Sequence, residues 1–498
     1  MALSAEWKSR VELWLKALEE CIYEPKGLME WKGFQTKTHL SLKQAEAEAA
    51  EPFPEGTCWG EQWAYGWFFT QVQIPQELSG KRIAMDIQLG GESSLFVDGC
   101  SFGTRRDDWV SNRLHFICDN VLTDAARGGE SFSIAAECYG GHNMPLNRGS
   151  SAPGPLIPGH EEILPQEGAR RQVGRSTWGV WNEEAYQLYM DVRTVLGNLQ
   201  CVDPDSLRAM DLEKALKAFS CTVDFEQPYE IRQKSFRLGR EVLRPVLACK
   251  NGSTMPVMHA MGHAHIDVAW LWPLEETDRK CSRTFAAQLR HMEEYPEYTM
   301  IQSQPYLYQR TKELYPELFD RMKEKVKQGQ LIPEGGMWVE ADTNIPSGES
   351  LIRQFLYGKA YFKKEFGVED ELLWLPDVFG YTAALPQIMK GCGIRYFSTH
   401  KIFWTYNGGD PFPYHSFMWK GIDGTEIPSF IHVDYNSETD PETLHQRWKK
   451  RAQKENLRRF LLPFGYGDGG GGPSRDHIEF CLREKDLEGV PQVIFDTP

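Results

Sequence analysis

No stretch of this 498-residue chain stays apolar over the roughly 18 to 20 residues that a membrane-spanning helix needs. Its first residues, MALSAEWKSRVELWLKALEE, also lack the uninterrupted apolar core of a secretory signal, so a cytoplasmic location is expected. There is no long basic run. Asp and Glu number 70 against 55 Lys and Arg, for a net charge of −15, which argues against nucleic acid or an anionic membrane surface as a partner. The 11 cysteines are odd in number, scattered and without a CxxC pair, so neither a thiolate zinc site nor a disulfide framework is indicated. Reduced, mostly buried thiols are expected. The glycine-rich GYGDGGGGPS lacks the Lys-Ser/Thr that would close a phosphate-cradling loop. No internal repeat is evident.

What remains is ordinary for a folded protein, with 41% hydrophobic and 25% charged residues and enough length for two to four domains. The 16 Trp are the exception. A flat ring matches the C–H face of a pyranose, although a large core side chain is the alternative for any one of them. A neutral or polar small substrate suits the charge balance, and a homo-oligomer is compatible with it.

The hydrophobic period divides the chain. Trp7, Val11, Trp14, Leu15 and Leu18 recur at helical spacing and predict an amphipathic helix within an N-terminal segment, residues 1–50. Short β-branched and aromatic runs then follow at the spacing of an antiparallel sandwich: GWFFTQVQIP, KRIAMDIQL, SSLFVDG, RLHFICD and SFSIAAECYG. They predict a β-sandwich with its linker over 51–175, of structural role, the linker being the Gly/Pro-rich stretch 141–175. Three helical runs with Asp205 or Ser206 as an N-cap make a spacer over 176–254. From 255 to 498, strand-like and helical patterns alternate, which predicts a barrel-like α/β domain with a largely parallel sheet. In such sheets ligands bind at the carboxyl ends of the strands.

Three stretches sit at those ends. In MPVMHAMGHAHIDVAW, His263, His265 and Asp267 alternate, so on a strand they would point to one place. Imidazole and carboxylate are ordinary zinc ligands, and hydrogen-bonded strand-end residues are the alternative. Asp377, in LWLPDVFGY, is either a carboxylate presented to a site or a turn cap. Asp468 sits among glycines that let backbone approach a ligand, or else lies in a flexible loop; a mobile presentation is expected. Two carboxylates flanking one bond are what glycoside hydrolysis requires, and Asp377 and Asp468 could divide those roles.

HAHIDVAWLWP, GGMWVEADTNIPSGESLIRQFLYG, WLPDVFGYTAALPQIMKGCGIRYF and FGYGDGGGGP, in that order and spacing, resemble glycoside hydrolase family 38, the α-mannosidases, in their cytosolic-type branch. The resemblance is dense from about residue 255 onward. It implies a retaining α-mannosidase acting on oligosaccharides, with Zn²⁺ or Co²⁺ as cofactor. His265, Asp267 and Asp377 match metal ligands, Asp377 also the nucleophile and Asp468 the acid/base carboxylate. Trp270 matches an aromatic platform under the sugar, Lys401 a position where some branches carry Arg, and Trp338, Asp342 and Asn344 cleft residues. His263 has no ligand counterpart, so it is expected to orient a ligand from behind. The family's fourth ligand is a His well beyond the glycine loop. Neither His477 nor any other His after Asp468 matches it, so the chain is expected to be the N-terminal half of a longer enzyme. A non-catalytic carbohydrate-binding fragment and a metal-dependent carbohydrate deacetylase are the competing expectations.

Overall fold

A computed structural model describes residues 4–105, 113–141, 171–270, 272–403 and 412–497; most of the expected linker, 142–170, lies outside them. The N-terminal helix Ala5–Glu20 buries Val11 and Leu18 and packs on the helices Glu183–Cys201 and Leu207–Thr222. With Tyr229–Leu247 these form the helical spacer. The second begins at Ser206, whose hydroxyl accepts the Ala209 N–H at 3.1 Å. Their shared core takes in Trp181, Tyr186, Leu216, Phe219 and Phe236, and reaches Phe480 of the C-terminal domain.

Two antiparallel sheets make the sandwich. One runs Tyr23–Leu28, Thr177–Trp181, Ile83–Asp86, Val121–Thr123; the other runs Glu51–Pro52, Lys32–Thr36, Tyr65–Gln73, Ser131–Tyr139, Ser93–Val97, Cys100–Arg105. Between them lie Trp59, Phe68, Met85, Ile134 and Trp178. Strands before residue 51 and after residue 175 thus belong to these sheets. RLHFICD is not a strand. Arg113–Asp119 is a helix, because Leu114, Ile117 and Cys118 at i, i+3 and i+4 all find the interior, which a strand's alternation would not allow.

In the C-terminal domain Leu331–Ile332, Met300–Ile301, Val257–His263 and Arg459–Phe464 lie side by side, all parallel, and Gln492–Phe495 pairs with the start of Val257–His263. Leu372–Leu375, Tyr396–Thr399 and Glu426–Ile431 form a second parallel set, edged by antiparallel Ser416–Lys420. The sets meet at both margins: the Trp374 N–H donates to Gly335 O at 3.2 Å, and Ser437 bridges Phe464 in parallel. Met261, Ile301, Leu372 and Trp374, drawn from both sets, pack inside. The result is a barrel-like sheet, with helices Leu274–Glu294, Pro305–Leu314, Pro316–Lys327 and Gly348–Phe366 packed around it. Pro305–Leu314 and Pro316–Lys327 are two helices and not one, since Pro316 cannot donate into a preceding turn but suits the first turn of a new helix.

Candidate active site

Val257–His263 ends on His263, so the alternation expected to align three side chains stops there. His263 turns away from its neighbours. Its Nε2 accepts the Trp374 indole N–H at 3.2 Å, so its proton sits on Nδ1 and is donated to Tyr435 O at 3.0 Å. Burial keeps the imidazole neutral, its pKa pushed down to about 3. His265 and Asp267 converge in the irregular backbone beyond, with Nε2 to Oδ1 at 3.2 Å.

Asp377 arrives two residues after Leu372–Leu375, and its Oδ2 lies 3.3 Å from the same His265 Nε2. Its Oδ1 faces Lys401 Nζ at 2.5 Å and accepts the Tyr435 hydroxyl at 2.9 Å. Lys401 follows the strand Tyr396–Thr399, and Tyr435 follows Glu426–Ile431. Asp468, beyond Arg459–Phe464, is 3.4 Å from the Tyr435 hydroxyl. One ligand atom from each of His265, Asp267, Asp377 and Asp468 lies within 4.8 Å of the others. Every one of these side chains is delivered from the carboxyl end of a barrel strand.

The glycine loop is tethered rather than free. Asp468 has φ +52° and Gly469 φ +76°, the left-handed region. Gly469 N–H donates to His265 O at 3.0 Å, Tyr466 and Gly472 pair through their backbones, and the Gln288 amide donates to Gly471 O and Pro473 O at 2.8 Å each. The loop and the backbone at His265 are thereby fixed to one another.

Two residues that the sequence did not single out complete the arrangement. Glu340 Oε2 is 2.8 Å from His265 Nδ1, with both side chains at most 5% exposed, and its Oε1 accepts the Ser303 hydroxyl at 2.6 Å. A His whose Nδ1 is held by a buried carboxylate offers Nε2 to a metal. Tyr435 joins the two catalytic candidates through one hydroxyl. Glu340 lies within the quoted GGMWVEAD motif, and Tyr435 follows a parallel strand; position at a strand's carboxyl end was the signal available for it. The other expected residues are placed around this centre. Trp270 is 45% exposed and edge-on to Trp272 at 5.7 Å. Trp338 is half-buried against Tyr361. Asp342 accepts the N–H groups of Asn344 and Ile345, and Asn344 packs on Gly380, so these two shape the loops and are not among the four converging groups. His477 caps its own helix through Ser474 and faces Glu438 at 3.0 Å, away from them.

The two carboxylates titrate in opposite directions. Burial pushes Asp377 up, but hydrogen bonds and charge from His265 and Lys401 outweigh it and hold the group at about 2. Burial raises Asp468, His265 and Lys401 oppose it, the neighbouring Asp377 and Asp267 add to it, and the net direction is upward. For His265, burial disfavours the cation, yet Glu340, Asp267 and Asp377 raise its pKa well above the usual value. A pocket this anionic around one imidazole calls for a cation, and the donor set of one nitrogen with carboxylate oxygens, its Nδ1 already held, fits a divalent metal of the zinc type.

Residues 255–498 match the family model for the glycosyl hydrolases family 38 N-terminal domain, and residues 26–143 match that for the α-mannosidase jelly roll domain. The chain is 33% identical over 478 residues to α-mannosidase G of Dictyostelium discoideum, covering 94% of this chain and 41% of the relative. It is 31% identical over 475 residues to human α-mannosidase 2C1, covering 93% and 43%, and 39% identical over 233 residues to an α-mannosidase of Saccharomyces cerevisiae, covering 46% and 21%. It therefore spans about two fifths of the length of the first two of these relatives. Among the described residues no helix is long and apolar enough to cross a membrane. With the barrel-borne site and both domain matches in register, the chain belongs to glycosyl hydrolase family 38.

Proposed function

We propose that the protein carrying this chain is a metal-dependent retaining α-mannosidase that removes terminal α-mannosyl residues from oligosaccharides in the cytoplasm. The observation that carries the reading is the pair Asp377 and Asp468. They face one site, with donor atoms within 4.8 Å, and their environments drive their pKa values apart. Such closeness favours the retaining geometry, in which carboxyl groups are about 5–5.5 Å apart, over the wider inverting one.

In this reading His265, Asp267 and Asp377 hold the metal, Zn²⁺ or Co²⁺, with Asp468 at the edge of the cluster. The metal supplies positive charge that binds sugar hydroxyls and favours ring distortion. The Asp377 carboxylate attacks the anomeric carbon as the bond to the aglycone oxygen breaks, and Asp468 gives its proton to that departing oxygen. Asp468 then takes a proton from water, whose oxygen attacks the anomeric carbon and frees Asp377. Lys401 and the Tyr435 hydroxyl keep Asp377 ionised and aimed, and His263 holds the Tyr435 backbone from behind. Trp270 offers a face to the sugar, with Trp338 and the loop of Asp342 and Asn344 lining the approach.

The test is hydrolysis of para-nitrophenyl α-mannoside with and without a chelator, with the first-formed anomer followed by NMR. Metal-dependent release of α-mannose is expected. Release of β-mannose first, undiminished activity in chelator, or acetate release from an acetylated sugar without glycosidic cleavage would each overturn it.

A further inference from the structure

The helix Leu274–Glu294 lies between the jelly roll and the barrel, packing on the sandwich strands Ser93–Val97 and Cys100–Arg105. Its Lys280 is 4% exposed and runs along the glycine loop. A Cβ built on Gly469 would stand 2.4 Å from Lys280 Cδ and 3.0 Å from its Cε, so the lysine stem fills the space a side chain would occupy beside Asp468. The ammonium lies 4.4 Å above the Trp272 ring and 2.5 Å from Glu92 Oε2. Glu92 comes from the jelly roll, directly after the turn of Gly90 and Gly91. Its backbone carbonyl accepts the Tyr139 N–H at 2.9 Å, and its carboxylate also pairs with Arg283. Arg283 has a second carboxylate, Glu276, at 2.6 Å. Lys280 is thus the link between this sandwich carboxylate and the loop.

We propose that Glu92 is a positioning residue for Asp468: it anchors the Lys280 ammonium, the lysine methylenes press on Gly469, and the loop is held where Asp468 meets the departing oxygen. The jelly roll is then part of the active site's support. This inference rests on Asp468 being the acid/base group. An error of an ångström in placing a proton donor costs rate without loss of substrate binding.

Glu92→Gln in the intact protein should lower kcat/KM for a mannoside with a poor leaving group about 10- to 100-fold, the range typical of residues that support a catalytic group from behind. A dinitrophenyl mannoside, whose phenolate departs without a proton, should be nearly unaffected, because kcat/KM reports the step that forms the glycosyl-enzyme. KM for the poor-leaving-group mannoside and the bound metal should be unchanged, KM for the dinitrophenyl mannoside should fall together with kcat because Asp468 also serves the second step, and the backbone amides of 465–472 should exchange hydrogen faster. Because Glu92→Gln leaves an unpaired buried ammonium, the double variant Glu92→Gln/Lys280→Met guards against a folding defect; it should lose no more than Glu92→Gln alone if both act along one path. Equal losses on the two mannosides, or unchanged exchange in the loop, would overturn the proposal. If the unaltered protein cleaves neither mannoside, the functional reading falls, and the exchange measurement by itself decides whether Glu92 holds the loop.

Discussion

Replacing Glu340 tests whether His265 is a metal ligand set by its buried partner. The Glu340 carboxylate and His265 Nδ1 are 2.8 Å apart with both side chains nearly sealed from water. A charged partner behind a metal-binding imidazole typically contributes about 10- to 100-fold in metal affinity. Its loss therefore predicts metal binding about 10- to 100-fold weaker, or about 1.4–2.8 kcal/mol. Glu340→Ala should show the whole effect. Glu340→Gln should show part of it, because it keeps the packing against His265 and a polar group beside the Ser303 hydroxyl that Glu340 accepts from, while it removes the charge facing Nδ1. The pH dependence has a definite sign. Metal must displace the proton that Glu340, Asp267 and Asp377 favour on His265, so affinity falls as pH drops through the raised His265 pKa. Without Glu340 that pKa is lower, and the fall should begin at a lower pH. Competition against a zinc chelator across pH measures both. A Kd for Glu340→Ala within twofold of the unaltered protein, or Glu340→Gln weaker than Glu340→Ala, would refute the assignment.

Further outcomes follow from the same geometry. With azide as external nucleophile, Asp377→Gly should yield a β-mannosyl azide and Asp468→Gly an α-mannosyl azide, because only the first lacks the enzyme's own nucleophile; the reverse pattern exchanges their roles. Lys401→Met removes one of the two cations that outweigh burial at Asp377, so that pKa should rise from about 2 and the acid limb of kcat/KM should move to higher pH, since the carboxylate must be ionised to attack. An unmoved limb would deny Lys401 this part. Gly262→Ala would set a Cβ 2.2 Å from the Tyr298 hydroxyl, which donates to Gln288 Oε1 at 2.7 Å, the side chain that ties down the glycine loop. Overpacking of that kind costs about 1–3 kcal/mol, and Tm should fall by several degrees; a scan superimposable on that of the unaltered protein would show that the strand yields at no cost.

The barrel was legible because its strands are closed on both faces and read as continuous apolar runs. Leu372–Leu375 is buried at all four positions, and a turn signal with an acidic residue follows it. Asp377 could be placed on that ground alone. Where a short apolar run fits both periods, sequence offers no decision: Arg113–Asp119 satisfies a helix and a strand until packing chooses. The partners of His263 and Glu340 were hidden for a different reason. Local spacing says that His263, His265 and Asp267 are near one another. It does not say that the indole of Trp374, over a hundred positions away, occupies one nitrogen of His263 and so removes it from the cluster. The sandwich showed no polar cluster in its own sequence, because Glu92 finds its partners on a helix that folds against it from the other domain.

Charge explains why the two carboxylates can differ although Tyr435 touches both. Four carboxyl groups, those of Asp267, Glu340, Asp377 and Asp468, gather around His265, and Lys401 is the cation set against Asp377. With all four ionised and the imidazole neutral, the pocket holds three surplus negative charges in a place poorly reached by water, which is costly. A dication held there would remove two of them. The last is removed most readily by a proton on the carboxyl least supported by positive neighbours. Asp377 has Lys401 at 2.5 Å, whereas at Asp468 burial and two adjacent carboxylates outweigh the more distant pull of His265 and Lys401. On the proposed mechanism that proton belongs on Asp468, the group that would donate it, which leaves Asp377 free to attack. A pocket balanced in this way would have no charge to offer an anion, as the proposed uncharged sugar requires.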